Sequence, residues 1–285
     1  MALGPITSTL ECRGSTLTTV SNEKTIKRHV FIDGCNFFHK IGDQLHCLGP
    51  KDGRPRGTAA LAIVYDFLRM GYPITFVIKQ FHMDKQHVVY FDVLDRLREL
   101  KIVKVYPDKG VDDDLEILKE AQRIGGFVIS NDHYSQEVYD PYDDVRKRTI
   151  GFYAKEDDKF NQYETPFTVD GRCKFNLKIR LKTSKPEFNR ISTCSESDPE
   201  YALVQSTRGI WTSQHLQHLL EEVTVIADYV RMQYMIVYEI TYCKYHDDYD
   251  SPEKKLPYFD HAEEAFPQSF DKFYEFYHRK YHTFY

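Results

Sequence analysis

No stretch of this 285-residue chain approaches the ~18–20 consecutive apolar residues of a membrane span. Its first residues lack the continuous apolar segment of a secretory leader. Cysteine is sparse and scattered, at 12, 35, 47, 173, 194 and 243, with no CxxC pair. That spacing argues against a disulfide framework and a Cys-based zinc module, and makes a reducing, intracellular setting the default. GxGxxG and a Walker-type lysine are both missing, which removes dinucleotide and nucleoside-triphosphate binding from consideration. HExxH is missing too. There is no excess of positive charge: 38 Lys+Arg against 43 Asp+Glu give a formal charge of −5. Coating nucleic acid by bulk charge is therefore excluded, and any basic binding surface must be local. What the chain does have is a core, since 41% of its residues are apolar and 14% aromatic.

From residue 29 a regular alternation sets in. HVFID (29–33), ITFVIK (74–79), KIVKVYP (101–107), FVISND (127–132) and TIGFYA (149–154) read as strands. Between them, residues 58–70, 87–100 and 112–125 have apolar positions at helical spacing. Residues 34–57 read as a polar loop. Strands alternating with helices over short connections predict an α/β fold with a central parallel sheet covered on both faces. Beyond about residue 165 the pattern weakens. A basic-faced strand over 173–182, a linker over 184–200, and one long amphipathic helix over 212–240, interrupted near 223–226, are the expectations there. The last 45 residues are rich in Tyr and Phe and yield no assignment.

Placing the acids on this scaffold carries the chemical argument. Asp33 ends the first strand, Asp132 follows the fourth, and Asp112, Asp113 and Asp114 open the helix after the third. In an open parallel sheet the carboxyl ends of the strands form one rim, where ligands bind. Like charges ~4 Å apart at an effective dielectric near 20 repel by about 4 kcal/mol per pair. Such a cluster holds either protons or cations, and hard oxygen donors select Mg²⁺ or Mn²⁺. Singly, each Asp is an ordinary helix cap or turn residue; their joint placement points to metal-assisted phosphodiester hydrolysis.

VFIDGCNFF (30–38), VDDDLEILKEA (111–121) and VISNDHYSQE (128–137) resemble the three acidic motifs of the Regnase/MCPIP-type NYN ribonucleases, within the PIN-like nuclease superfamily. RPRGTAALAI (54–63) and DDKF (157–160) resemble two further segments of that family, and the likeness covers about residues 26–170. The resemblance implies a three-layer PIN-like (NYN) α/β fold. It also implies a Mg²⁺- or Mn²⁺-dependent endoribonuclease cleaving single-stranded or stem-loop RNA by water attack, leaving 5′-phosphate and 3′-hydroxyl ends. Carried over by position, Asp33, Asp113, Asp114 and Asp132 are the catalytic and metal-binding acids, and Asn36 is a supporting polar contact to RNA. Three departures stand out. Gln136 takes the place of an acid usual in relatives, which leaves a looser metal site or substitution by Glu137. No CCCH zinc finger follows the domain. The segment between Gln80 and Val111 is poorer in Arg and Lys than the family's RNA-contacting loop.

RNA contacts are expected instead from Arg54 and Arg56, before a helix N-terminus suited to phosphate, and from the strand face of Lys178, Arg180 and Lys182. Arg146, Lys147 and Arg148 form a weaker cluster. The expected organisation is a flexible tail (1–25), a ribonuclease domain (26–168), and a smaller α+β accessory region (169–285). The biological expectation is RNA turnover or silencing in the cytoplasm or its RNA granules. Pairing with the same or another NYN-domain protein, and no membrane partner, complete it. The rival reading is a catalytically weak or inactive NYN-domain RNA-binding or scaffold protein of an RNA-decay complex; a phosphatase or DNA nuclease on the same architecture is a third.

Overall fold

The computed structural model describes residues 24–41, 54–155 and 178–245, with the side chains of 154–155, 178–180 and 231–245 left aside. The N-terminal 23 residues, the glycines at 49 and 53, DDKF (157–160) and the aromatic residues beyond 245 lie outside the described residues.

Strands β1 (Thr25–Lys27), β2 (Val30–Asp33), β3 (Ile74–Lys79), β4 (Val103–Tyr106), β5 (Phe127–Ile129), β6 (Thr149–Ile150), β7 (Phe152–Lys155), β8 (Lys178–Leu181) and β9 (Thr193–Ser195) form three sheets. The helices are α1 (Gly34–Ile41), α2 (Gly57–Arg69), α3 (Phe91–Glu99), α4 (Asp113–Ile124), α5 (Asp143–Arg146), α6 (Lys185–Ser192), α7 (Tyr201–Arg208) and α8 (Ser213–Tyr245). The central sheet has order β4-β3-β2-β5-β6 and every pairing in it is parallel. The chain runs outward from β2 to β4 on one side, then returns to place β5 and β6 on the other. The order therefore reverses between β2 and β5, and the crevice at their carboxyl ends is where such sheets take ligands.

Two-residue periodicity sorts the strand side chains onto the faces. Val30, Ile32, Ile74, Phe76, Ile78, Phe127 and Ile129 pack with α2 and α3. Phe31, Val77 and Val128 pack on the opposite face with Ile117, Leu118 and Ala121 of α4. The fold is thus a three-layer α/β/α arrangement, as the alternation predicts. Helix α2 is buried around nearly its whole circumference, from Gly57 through Tyr65 and at Phe67 and Leu68. Its outer side is covered by α8, whose Leu216, Leu219, Val223, Ile226 and Val230 join the same core.

Several local expectations give way. Residues 34–41 are a helix rather than loop. Gly34 allows α1 to press on β3: a Cβ there would stand 2.4 Å from the Val77 carbonyl oxygen. The run 149–154 breaks at Gly151 into β6, which extends the main sheet, and β7, which pairs antiparallel with β8. The stretch read as a linker forms α6, capped by Ser184, and β9, which pairs antiparallel with β1. Helix α8 is continuous through residues 223–226. The buried Arg28 guanidinium fastens this C-terminal part to the sheet: it donates to the Gly125 carbonyl oxygen (2.7 Å), Glu200 (2.7 Å) and Asp198 (2.8 Å).

Candidate active site

Phe31 and Asp33 share a face of β2, as Val77 and Lys79 do on β3, and that face receives α4. Register therefore aims Asp33 and Lys79 at the first turn of α4, where Asp113 and Asp114 stand. Asp33 is 2% exposed. Its Oδ1 accepts from the Asn36 N–H (2.9 Å) and its Oδ2 from the Ser130 hydroxyl (2.7 Å). The same Ser130 oxygen accepts from the Asp132 N–H (3.0 Å), tying the end of β2 to the loop after β5. Asn36 Oδ1 accepts from the Asn131 N–H (3.0 Å), and Asn131 Oδ1 from the Phe152 N–H (3.1 Å). Asn36 is thus a strut between the strand ends. Asp132, exposed on its loop, accepts the Tyr134 N–H at 3.0 Å, and Tyr134 turns back into the core with φ 46°.

The electrostatics separate the acids. Burial, then the charges of Asp113 and Asp132, push the Asp33 carboxyl from 3.8 up to about 6, against the two hydrogen bonds that favour its ionised form. Asp114 is pushed to about 7 by burial and then by Asp33, Asp113, Asp132 and Asp112. Asp113 is different: Lys79 Nζ lies 3.0 Å from its Oδ1. Asp112 is the N-cap of α4, accepting from the Leu115 N–H (3.2 Å) and the Tyr139 hydroxyl (3.3 Å). Among the described residues neither Asp33 nor Asp114 has an ion-pair partner, and no three His, Cys, Asp or Glu side chains are gathered closely enough to hold a metal ion. The donors at this rim are nevertheless all hard oxygens, and its two uncompensated carboxylates resist ionising together. Both properties suit Mg²⁺ or Mn²⁺. Cys35 lies beside this cluster with its thiol pushed far up, by burial first and then by Asp113, so it is no nucleophile.

The other expected contacts are distributed unevenly. Arg56 is 4% exposed and bridges Val89, so its side chain lies within the protein; Arg54 precedes it, half-buried. Lys178 and Arg180 are on β8, their side chains outside the described set. Exposed Lys182 reaches the rim. Its stem crosses Gly151, whose added Cβ would meet the Lys182 Cδ at 2.8 Å and Asn131 Oδ1 at 3.1 Å. Arg146, Lys147 and Arg148 are engaged by Asp140, Asp143 and Glu200. Glu137 is exposed, at the start of a 3₁₀ turn that Gln136 precedes. Lys79 and Ser130 went unnoticed in the sequence, although both sit at or just past strand carboxyl ends. The edge argument that selected Asp33 applies to them equally.

The family model of the Zc3h12a-like ribonuclease NYN domain matches residues 26–171. The chain belongs to this family. Membership supports an RNA-cleaving nuclease as its general class. Nuclear protein-only RNase P 2 (PRORP2) of Arabidopsis thaliana is a structural neighbour of the chain at 13% identity and TM-score 0.35. The match covers 56% of this chain and 30% of that one, a likeness too distant to bear on individual residues. No curated protein matches the chain in sequence. Among the described residues no helix is long and apolar enough to cross a membrane.

Proposed function

We propose that this NYN domain is a divalent-metal-dependent endoribonuclease acting on single-stranded or loop RNA. The observation that carries the reading is the pair Asp33 and Asp114, two carboxylates at the switch point of the sheet with no cation partner among the described residues, their pKa values raised to about 6 and 7. Of the four acids singled out in the sequence, Asp33 and Asp114 would hold the ion, with waters filling the rest of its shell, while Asp113 is paired with Lys79. A divalent ion bound there supplies Lewis acidity toward a phosphodiester and a more acidic water. The protein's own part is positional. The Ser130 hydroxyl and the Asn36 N–H fix Asp33, the cap on Asp112 fixes the start of α4, and Asp132 stands at the open edge to orient an attacking water. Lys182 beside Asn131 offers a contact to the RNA backbone, with Lys178 and Arg180 on the same strand. Residues 26–168 would carry the chemistry, with 169–285 as an accessory region. RNA turnover or silencing in the cytoplasm, and pairing with a like chain, belong to the same proposal.

Incubation of the full chain with labelled RNA in Mg²⁺, in Mn²⁺ and in EDTA tests this. Metal-dependent cleavage that is lost in Asp114→Asn is the expected result. Absence of cleavage with every ion, or equal cleavage of DNA, would overturn it.

A further inference from the structure

Lys79 ends β3 on the same rim as Asp33, and among the described residues its pair with Asp113 is the only ion pair reaching a rim carboxylate. Asp113 is buried, whereas a quarter of the Lys79 side chain stays exposed. An ammonium carries three donors in a tetrahedral array. One meets Asp113 Oδ1, which leaves two for an acceptor arriving from solvent. A buried carboxylate in direct contact with a lysine is already neutralised, so it has little left to offer a divalent ion. The RNA backbone, for its part, must bring a negative phosphodiester up to Asp33, Asp114 and Asp132. A fixed positive charge at that edge offsets the repulsion and marks where the phosphate sits.

We propose that Lys79, held by Asp113, binds the RNA phosphodiester at the rim, and that Asp113 is a positioning residue for Lys79 rather than an ion ligand. This rests on the ribonuclease reading, but it concerns binding and is measured apart from cleavage. The probe is a fluorescent single-stranded oligouridylate titrated in EDTA over a series of salt concentrations. The double variant Lys79→Met/Asp113→Asn removes both charges together, so that no buried carboxylate is left unpaired. Its affinity should fall about tenfold, and its salt dependence should flatten by about the contribution of one phosphate contact, a slope of ~0.7. Lys79→Arg should retain wild-type affinity and slope. The stabilisation of the double variant by Mn²⁺, followed by thermal denaturation, should match wild type. Unchanged RNA affinity in the double variant, no binding by wild type in EDTA, or loss of the Mn²⁺ response in the double variant would each overturn the proposal. A wild-type chain that binds RNA through Lys79 yet shows no cleavage with any divalent ion would instead refute the nuclease reading alone.

Discussion

Replacing Asp33 by Asn should make the metal-free protein more stable. The Asp33 carboxyl is raised from 3.8 to about 6, first by burial. At 1.36 kcal/mol per tenfold change in proton affinity, this corresponds to about 3 kcal/mol. The sign follows from linkage: a carboxyl whose folded-state value is raised binds its proton more tightly in the native state than in the unfolded chain. The stability it confers is complete below about 3.8 and is lost as pH rises through about 6. At pH 8 the wild type therefore carries nearly the full deficit and Asp33→Asn does not. An Asn keeps an oxygen for the Asn36 N–H and can donate to the Ser130 oxygen, so both hydrogen bonds have a replacement. Urea denaturation in EDTA should show Asp33→Asn about 2–3 kcal/mol more stable at pH 8, the advantage shrinking toward zero as pH falls to about 4. The equivalent rise in Tm at pH 8 is roughly 5–10 °C. Adding Mn²⁺ should then favour wild type and leave the variant unmoved. A variant less stable than wild type at pH 8, or a gain independent of pH, would refute the reasoning that burial of charge dominates here.

Cleavage at limiting divalent ion should rise as pH climbs through about 6–7, where Asp33 and Asp114 ionise; saturating ion, competing with protons, should move that limb to lower pH in a pH–rate profile. Ser130→Ala removes a donor to Asp33 and an acceptor for the Asp132 N–H, so the acid limb should shift upward and stability fall by about 1–2 kcal/mol, read from the same profile and from urea denaturation. Arg28→Met strands the partly exposed Asp198, leaves Glu200 with Arg148 alone, and frees the β1–β9 junction; a loss of about 2–3 kcal/mol in urea denaturation is expected, with the rim's response to Mn²⁺ intact.

Local pattern carried the sheet. Apolar runs such as ITFVIK have one reading once short connections impose parallel pairing, and the rim positions of Asp33 and Asp132 come with them. Asp112 and Gly125 announced α4 through capping, and the structure shows both caps, Gly125 with φ 65°. The failures have local causes too. Gly34 after Asp33 read as a turn because the close approach of Val77 that demands glycine is a tertiary fact. Residues 184–200 read as a linker, although Ser184 as cap with proline in the first turn is equally a helix start. The pairs Lys79–Asp113 and Arg28–Asp198 join residues far apart in sequence, and nothing in their neighbourhoods names the partner.

Helix α2 has almost no face of its own for water, because α8 lies where a three-layer domain would end. A fragment cut after residue 177 would keep every rim aspartate yet bare a ridge of alanine, leucine and isoleucine to its neighbours. Such a fragment would clump before it could be assayed, and its silence would say nothing about the chemistry of the intact chain.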